Sequence, residues 1–364
     1  MSKKANKLTK LDIVCIVIDV IAAIAVGIIL AAINSIKGST GADSAASAWG
    51  NGESRYAQAA VYFTYLSGFD INGAHSMHSA VEQYLASQVD LKKAEHRVWV
   101  DCGYGESSGS AQGTLGSTDA VLCGTWGDYF LFHPGDFISG SIYEDNDMNL
   151  DVCVLDNTAS WILFGGLDTA GMTVNINDRA YLVVGVIDQG MKTNSDFAAY
   201  GSKPRIYMPY QSLKNLKEAA SMTSYEICIP YVLDGYALEA IKKGVSADES
   251  TYMAVDESGR FDLVKLVRSF PGIFNNVMVA GGIVYPWYEN VLRAAEIKCV
   301  ILAFMGAVIL IIGIIVFVYL FFRFTKAFAA FVKWIKSKFD AAYQRRISKK
   351  YYKAHPRPEE NPQT

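Results

Sequence analysis

Two long apolar runs near the ends of the chain limit what it can fold into. Ile13 to Ile33 is a 21-residue run interrupted only by Asp19, and Cys299 to Phe322 is a 24-residue run without a charge. About 20 apolar residues cross the hydrocarbon core of a bilayer as an α-helix. The runs therefore predict transmembrane helices over 13–34 and 299–322. A secretory signal has an apolar core of only about 7–15 residues, so the first run reads as a retained anchor. The small-residue text at Lys37–Ala48 keeps cleavage as the alternative.

Charge is divided around these runs. Lys3, Lys4, Lys7 and Lys10 precede the first, and eleven Lys and Arg follow the second. Between them, Asn34–Lys298 carries 18 Lys and Arg against 31 Asp and Glu, a net charge of −13, although the whole chain is only −3. Basic flanks stay cytoplasmic, which predicts a plasma-membrane protein with both termini inside and the central segment outside. An acidic folded part on the extracytoplasmic side argues against nucleic-acid binding.

Asp19 is the one charged side chain inside a predicted span, where charge is costly and often functional. Snorkelling, or pairing with a basic residue, accounts for it; pairing with another subunit's helix is the alternative. Beyond Phe322, apolar residues at helical spacing (Phe324, Phe328, Phe331, Ile335, Phe339) leave Lys326, Lys333 and Lys336 on other faces, with Arg345 and Arg346 following. This predicts a basic amphipathic helix over 323–353 lying on the inner leaflet, or docking to a cytoplasmic ATPase, ahead of a polar tail at 354–364.

Cys15 and Cys299 fall in the spans and read as packing residues. Of the four outside, Cys153 and Cys228 sit in apolar strand-like runs and read as small buried hydrophobes. Cys102 and Cys123 flank a Gly/Ser-rich stretch and form the candidate disulfide. No cysteine spacing matches a zinc site.

The segment 35–54 is rich in Gly, Ala and Ser and reads as a stalk. The domain proper is placed at 55–290. "YAQAAVYFTYL" fits strand or helix, "GAHSMHSAVEQYLASQ" has helical spacing at Met77, Val81 and Leu85, and "HRVWVDC" reads as a strand. A flexible loop is expected over Gly103–Asp119, then strands interrupted by a short helix at Asn157–Phe164. "MTVNI", Asn177-Asp178 and "RAYLVVGVI" read as a hairpin whose two turn residues tolerate a left-handed backbone. "TSYEICIPY", "DGYALEAIKKGV" and "TYMAVDE" give a second β–α–β unit, and pieces of helix broken at Pro271 and Pro286 return to the membrane. The fold class is thus a membrane-anchored α+β protein, with two βαβ units flanking an inserted β-rich subdomain at about 104–220.

Val154-Leu155, Ala159, Leu163-Phe164-Gly165, Gly171, Ile176, Tyr181 and Val183–Val186 together resemble the MacB-like extracytoplasmic core domain of MacB/FtsX-type ABC-transporter permeases. "GTWGDYFLFHPGDF" upstream and "IYMPYQSL" downstream extend the likeness. The chain also resembles Firmicute membrane proteins of the permease type, in which "YPWYEN" precedes the second span. The resemblance implies a porter-like α+β subdomain interrupted by a β-rich one, acting as a mechanical transmitter. It departs in having one span after the domain where such permeases have three. A phosphate-binding G-x-x-x-x-G-K-[ST] loop is missing from the sequence, so ATP hydrolysis and a fuller permease are expected from separate subunits.

Other motifs have simpler readings. Gly105–Gly109 matches G-x-S-x-G, but a nucleophile elbow needs a strand-to-helix turn. Asp145, Asp147, Asn149, Asp151 and Asp156 echo a calcium loop, yet Leu150 stands where Gly is needed. His75 and His78 lack a convincingly spaced third ligand, and His133 has no evident partner. No acid/base or nucleophile set converges, so no enzyme activity and no cofactor or metal is expected. The sequence points to a permease-like or accessory subunit of an ABC-type export or envelope system, embedded in lipid and homo- or hetero-oligomeric. The alternative is a membrane-anchored binding or scaffold protein that kept the fold without transport.

Overall fold

The computed structural model describes residues 9–41, 44–50, 55–87, 97–143, 150–191, 194–275, 279–280 and 282–354. It divides into two compact units, 32–304 and the pairing of 1–31 with 305–364. Helix α1 (Lys10–Thr40) opens the chain and is followed by α2 (Ser44–Gly50). Helix α2 is packed rather than solvated: Ala45 is fully buried, and Ser44 Oγ donates to the Phe132 carbonyl. The expected stalk is therefore in part a layer of the domain, because its alanines are small and apolar enough to lie against a sheet.

In the 32–304 unit the first layer is antiparallel. Strands β1 (Tyr56–Phe63) and β2 (Val100–Gln112) flank helix α3 (Ile71–Ala86) in sequence. Asp70 caps α3 by accepting from the Asn72 and Gly73 amides, and Ala74, Met77, Val81 and Leu85 are its buried stripe. After β3 (Ser117–Gly127), α4 (Tyr129–Phe132) and β4 (Asp136–Gly140) come β5 (Val152–Asp156) and α5 (Asn157–Phe164). Then follow β6 (Thr173–Ile176), β7 (Arg179–Asp188), α6 (Asn194–Tyr200), β8 (Arg205–Pro209) and α7 (Tyr210–Leu216). Strand β9 (Ser224–Pro230), α8 (Tyr236–Gly244) and β10 (Tyr252–Asp256) form the second βαβ unit. The chain leaves through α9 (Leu263–Ser269) and α10 (Trp287–Ala354).

The strand order is β10-β1-β9-β2-β3-β8-β5-β7-β4, with β6 bridging β2 and β7. Alternate residues of β1 point to two cores. Ala57, Ala59, Val61 and Phe63 pack with α3 and α8, while Ala60 and Tyr62 join the opposite core with Cys102, Tyr104, Tyr129 and Tyr288. The inserted β-rich part is continuous with the first layer. Strands β2, β3, β8, β5, β7 and β6 pair in a closed ring that shares β2 and β3 with the first layer. Leu122, Leu155, Leu163, Val174, Ile176, Val183 and Ile206 fill it. The hairpin turn is as read from sequence: Asn177 and Asp178 have φ of 45° and 66°.

The expected loop over Gly103–Asp119 is a correction. Strand β2 runs on to Gln112 and β3 starts at Ser117. Its glycines are there for close approach: a Cβ on Gly105 would stand 2.4 Å from the Ser221 carbonyl oxygen. The G-x-S-x-G match lies inside this strand, not at an elbow. The register also separates the candidate disulfide, placing Cys102 opposite Gly127 and Cys123 opposite Glu106. Four residues out of step is about 13 Å along a strand, well beyond the Cα spacing of roughly 4.4–6.8 Å a disulfide spans. No disulfide joins them.

Helices α1 and α10 are long and apolar enough to cross a membrane. Gly306 lies beside Ile29, and Gly313 beside Ala22 and Asp19. Glycines seven apart let two helices approach closely in lipid. Asp12 and Arg323 pair at 3.2 Å. Ile21, Ile28 and Ile315 stay about 60% exposed, as lipid-facing residues do. Helix α10 continues to Ala354, so the basic stretch from 323 extends the same helix and does not start a new one. Lys333, Lys336, Arg345 and Arg346 are on its exposed surface; the Lys326 side chain and the tail from 355 lie outside what is described.

Candidate functional site

The start of α10 is bound to the sheet by buried charges. Trp287 and Tyr288 enter the tyrosine-rich core, and Glu289, Arg293 and Glu296 follow on one face of the helix. Behind β10, the turn carrying Glu257 and Arg260 is held on β1 by the Glu257 amide donating to the Gln58 carbonyl at 3.0 Å. Arg260 then joins the two. Its Nη1 donates to Glu257 Oε2 at 3.0 Å and to Glu289 Oε2 at 2.7 Å, Nη2 to Glu289 Oε1 at 2.9 Å, and Nε to Glu296 Oε2 at 2.9 Å. Arg293 Nε donates to Glu289 Oε1 at 2.6 Å, and the Tyr62 hydroxyl to Glu289 Oε2 at 3.1 Å. The Arg293 guanidinium also lies 3.5 Å from the Tyr285 ring centre.

Three carboxyl groups thus share two guanidinium groups, with Glu257 and Glu289 out of water and Glu296 at the edge. Burial, helped by Glu289 and Glu226 nearby, pushes Glu257 up to about 8 despite the Arg260 contact. Glu289 and Arg260 are the centre of the clasp, at 0% and 4% side-chain exposure. What the arrangement does is hold the helix to the sheet with bidentate, directional bonds.

Next to the clasp, on the same sheet face, Glu226 of β9 stands between Ala60 of β1 and Cys102 of β2. His133, just after α4, brings Nε2 to 2.7 Å from Glu226 Oε1. The Tyr288 ring stacks on the His133 ring at 3.6 Å, and its hydroxyl is 2.6 Å from Ser224 Oγ. A cavity of about 150 Å³ opens here, lined by Gln58, His133, Glu226, Glu257 and Tyr288 among others. Burial pushes the Cys123 thiol up to about 11 and Cys228 up to about 12, so both stay protonated at neutral pH.

A second buried network holds the closed ring. Asp156 caps α5 by accepting from the Ala159 amide at 2.6 Å, and also accepts from the Tyr200 hydroxyl and the Arg205 amide, both at 2.8 Å. The Arg205 side chain pairs with Glu106 at 3.0 Å.

The residues singled out from sequence are scattered. His78 Nδ1 lies 2.7 Å from Asp101 Oδ2, whereas His75 sits edge-on to Trp126, so the two do not share a ligand. Asp151 pairs with Arg179; Asp145, Asp147 and Asn149 lie outside the described residues. Sequence reading missed the clasp, and it missed Glu226 as the partner of His133. A signal was present: Glu226 is a lone charge in the apolar strand "SYEICIP", and Glu289, Arg293 and Glu296 recur at helical spacing.

Fold and site define a membrane-anchored α+β domain clasped to the helix that follows it. The chain belongs to the MacB-like periplasmic core domain family, whose model matches residues 13–249. Among solved structures it is similar to the periplasmic region of MacB from Actinobacillus actinomycetemcomitans, at 17% identity over 57% of this chain and 92% of that one, with a TM-score of 0.41. It is also similar to the extracellular domain of the noncanonic ABC-type transporter YknZ from Gram-positive bacteria, at 15% identity over 54% of this chain and 99% of that one, with a TM-score of 0.36. No curated protein matches the chain.

Proposed function

We propose that this protein is a non-enzymatic, permease-like or accessory membrane subunit of an ABC-type export or envelope system. Its extracytoplasmic domain relays motion between the second membrane-spanning helix and an extracytoplasmic partner. The observation that carries this reading is the clasp: Glu289, Arg293 and Glu296 belong to the same helix as the apolar run, and Arg260 ties them to the sheet. A displacement of that helix would have to break buried ion pairs or carry the sheet with it. ATP hydrolysis would come from a separate ATPase, working with a multi-span permease subunit, with both termini of this chain cytoplasmic. Affinity purification of the full chain from native membranes tests the assignment. An ATPase and a multi-span permease should co-purify in fixed proportion, and recovery of the chain alone, or as a homo-oligomer, would contradict it.

A membrane-anchored binding or scaffold role is favoured by a different observation. Leu115, Trp161 and Ile162 are 74%, 57% and 40% exposed on the closed ring. The Leu115 amide donates to the Leu163 carbonyl, which brings this loop against α5. Adjacent exposed apolar side chains mark contact surfaces, and the relay reading also needs one.

A further inference from the structure

Cys102, His133 and Glu226 are far apart in sequence and meet in the 32–304 unit. Cys102 and Glu226 face each other across β2 and β9, and His133 reaches the carboxylate from behind α4. All three are buried, and one ligand atom from each lies within 4.8 Å of the others. Zinc ligands sit about 2.0–2.3 Å from the ion, which puts them roughly 3.4–3.8 Å from one another in a tetrahedron. The widest separation in the triad needs to close by little more than an ångström, and the His133–Glu226 pair to open from 2.7 Å, to reach that geometry.

We propose that the extracytoplasmic domain binds one zinc-class divalent ion through Cys102 Sγ, His133 Nε2 and the Glu226 carboxylate. Thiolate and imidazole suit a borderline-soft metal, and a single carboxylate falls short of the oxygen cage that calcium or magnesium needs. Coordination inserts the ion where the His133–Glu226 hydrogen bond stands and displaces the Cys102 thiol proton to solvent.

A second observation points to a ligand at the same place. Gln58 is only 3% exposed and lines the cavity beside His133 and Glu226, yet its Oε1 has no hydrogen-bond partner. A His–Glu hydrogen bond by itself leaves that oxygen unsatisfied, and buried polar atoms are rarely left so. An ion with an open fourth position, carrying water into the cavity, supplies the missing partner. The ion would also tie β2 and β9 to His133, on which Tyr288 of α10 stacks. The site is independent of the transport reading and survives if that reading fails.

The test uses the full chain in detergent, stripped with chelator and dialysed against zinc chloride. One zinc should be retained per chain by elemental mass spectrometry. Cobalt(II) should give a thiolate-to-metal charge-transfer band together with tetrahedral ligand-field bands. Cys102→Ser should abolish the charge-transfer band, and His133→Gln or Glu226→Gln should weaken zinc binding by at least about tenfold, the scale of even outer-shell losses. Cys228→Ala, a buried thiol on the same sheet face outside the triad, should keep both signals. Should the triad variants unfold, the cobalt spectrum of the unaltered chain and a zinc-dependent rise in its Tm still decide. No retained zinc and no thiolate band, an unchanged band in Cys102→Ser, or displacement by equimolar calcium would overturn the proposal.

Discussion

Replacing Arg260 by methionine is the most informative perturbation of the clasp. The change keeps much of the side-chain volume and removes the group that, among the described residues, touches Glu257, Glu289 and Glu296 together. The side chains of Arg260, Glu257 and Glu289 are 4%, 1% and 0% exposed, so water cannot take over the lost bonds. Breaking a buried ion pair from one side costs about 3–5 kcal/mol, against roughly 0–1 kcal/mol for an exposed pair. For a domain of this size that is a fall in Tm of about 6–20 °C. The assay is thermal unfolding of the full chain in detergent, followed by tryptophan fluorescence. Burial holds Glu257 protonated up to about 8 in the folded protein, against an ordinary value of 4.5. The folded state therefore binds the extra proton in that window, and stability falls as pH rises from 4.5 towards 8. Arg260→Met should steepen that fall, and adding Glu289→Gln should recover part of the loss. A Tm within about 2 °C of wild type, worth under roughly 1 kcal/mol, would refute the view that the charges are buried and shared.

Further outcomes follow from other contacts. The Asp101 carboxylate raises the pKa of His78 above 6.5, chiefly through their hydrogen bond. That contribution to stability is full below pH 6.5 and is lost as pH rises through the raised value, so His78→Gln should flatten the pH profile of Tm. Asp156→Ala removes an α5 cap and leaves the Arg205 amide and Tyr200 hydroxyl without their acceptor, so a loss of about 2–4 kcal/mol is expected by denaturant titration; Asp156→Asn should lose less. Gly105→Ala forces a Cβ against the Ser221 carbonyl, and should destabilise by at least about 1 kcal/mol although the residue reads as loop. Trp161→Ala with Leu115→Ser should leave Tm nearly unchanged while reducing recovery of an extracytoplasmic partner.

Elements with a repeating pattern were legible in the sequence. The stripe at Met77, Val81 and Leu85 identified α3, Asn157–Phe164 was placed to the residue, and Asn177-Asp178 fixed the hairpin. Strand β2 was not, because glycine signals both a free loop and a tight crossing, and only the Ser221 backbone beside Gly105 distinguishes them. The closed ring was equally hidden, since it depends on the short pairing of Ala111 with Ile176. The clasp joins Glu257 and Arg260 to residues some thirty positions further on, and Cys102, His133 and Glu226 span more than a hundred. Such groupings follow from strand order, which no local spacing encodes.

In the proposed relay, movement of the second membrane-spanning helix reaches the sheet through Arg260. Hydrogen–deuterium exchange on the complex purified from native membranes, with and without ATP and vanadate, tests it most directly. Nucleotide-dependent changes in protection are expected at 256–262 and at 287–298 in the wild-type complex, and their loss in Arg260→Met. Identical exchange in both nucleotide states, or changes that persist in Arg260→Met, would contradict it.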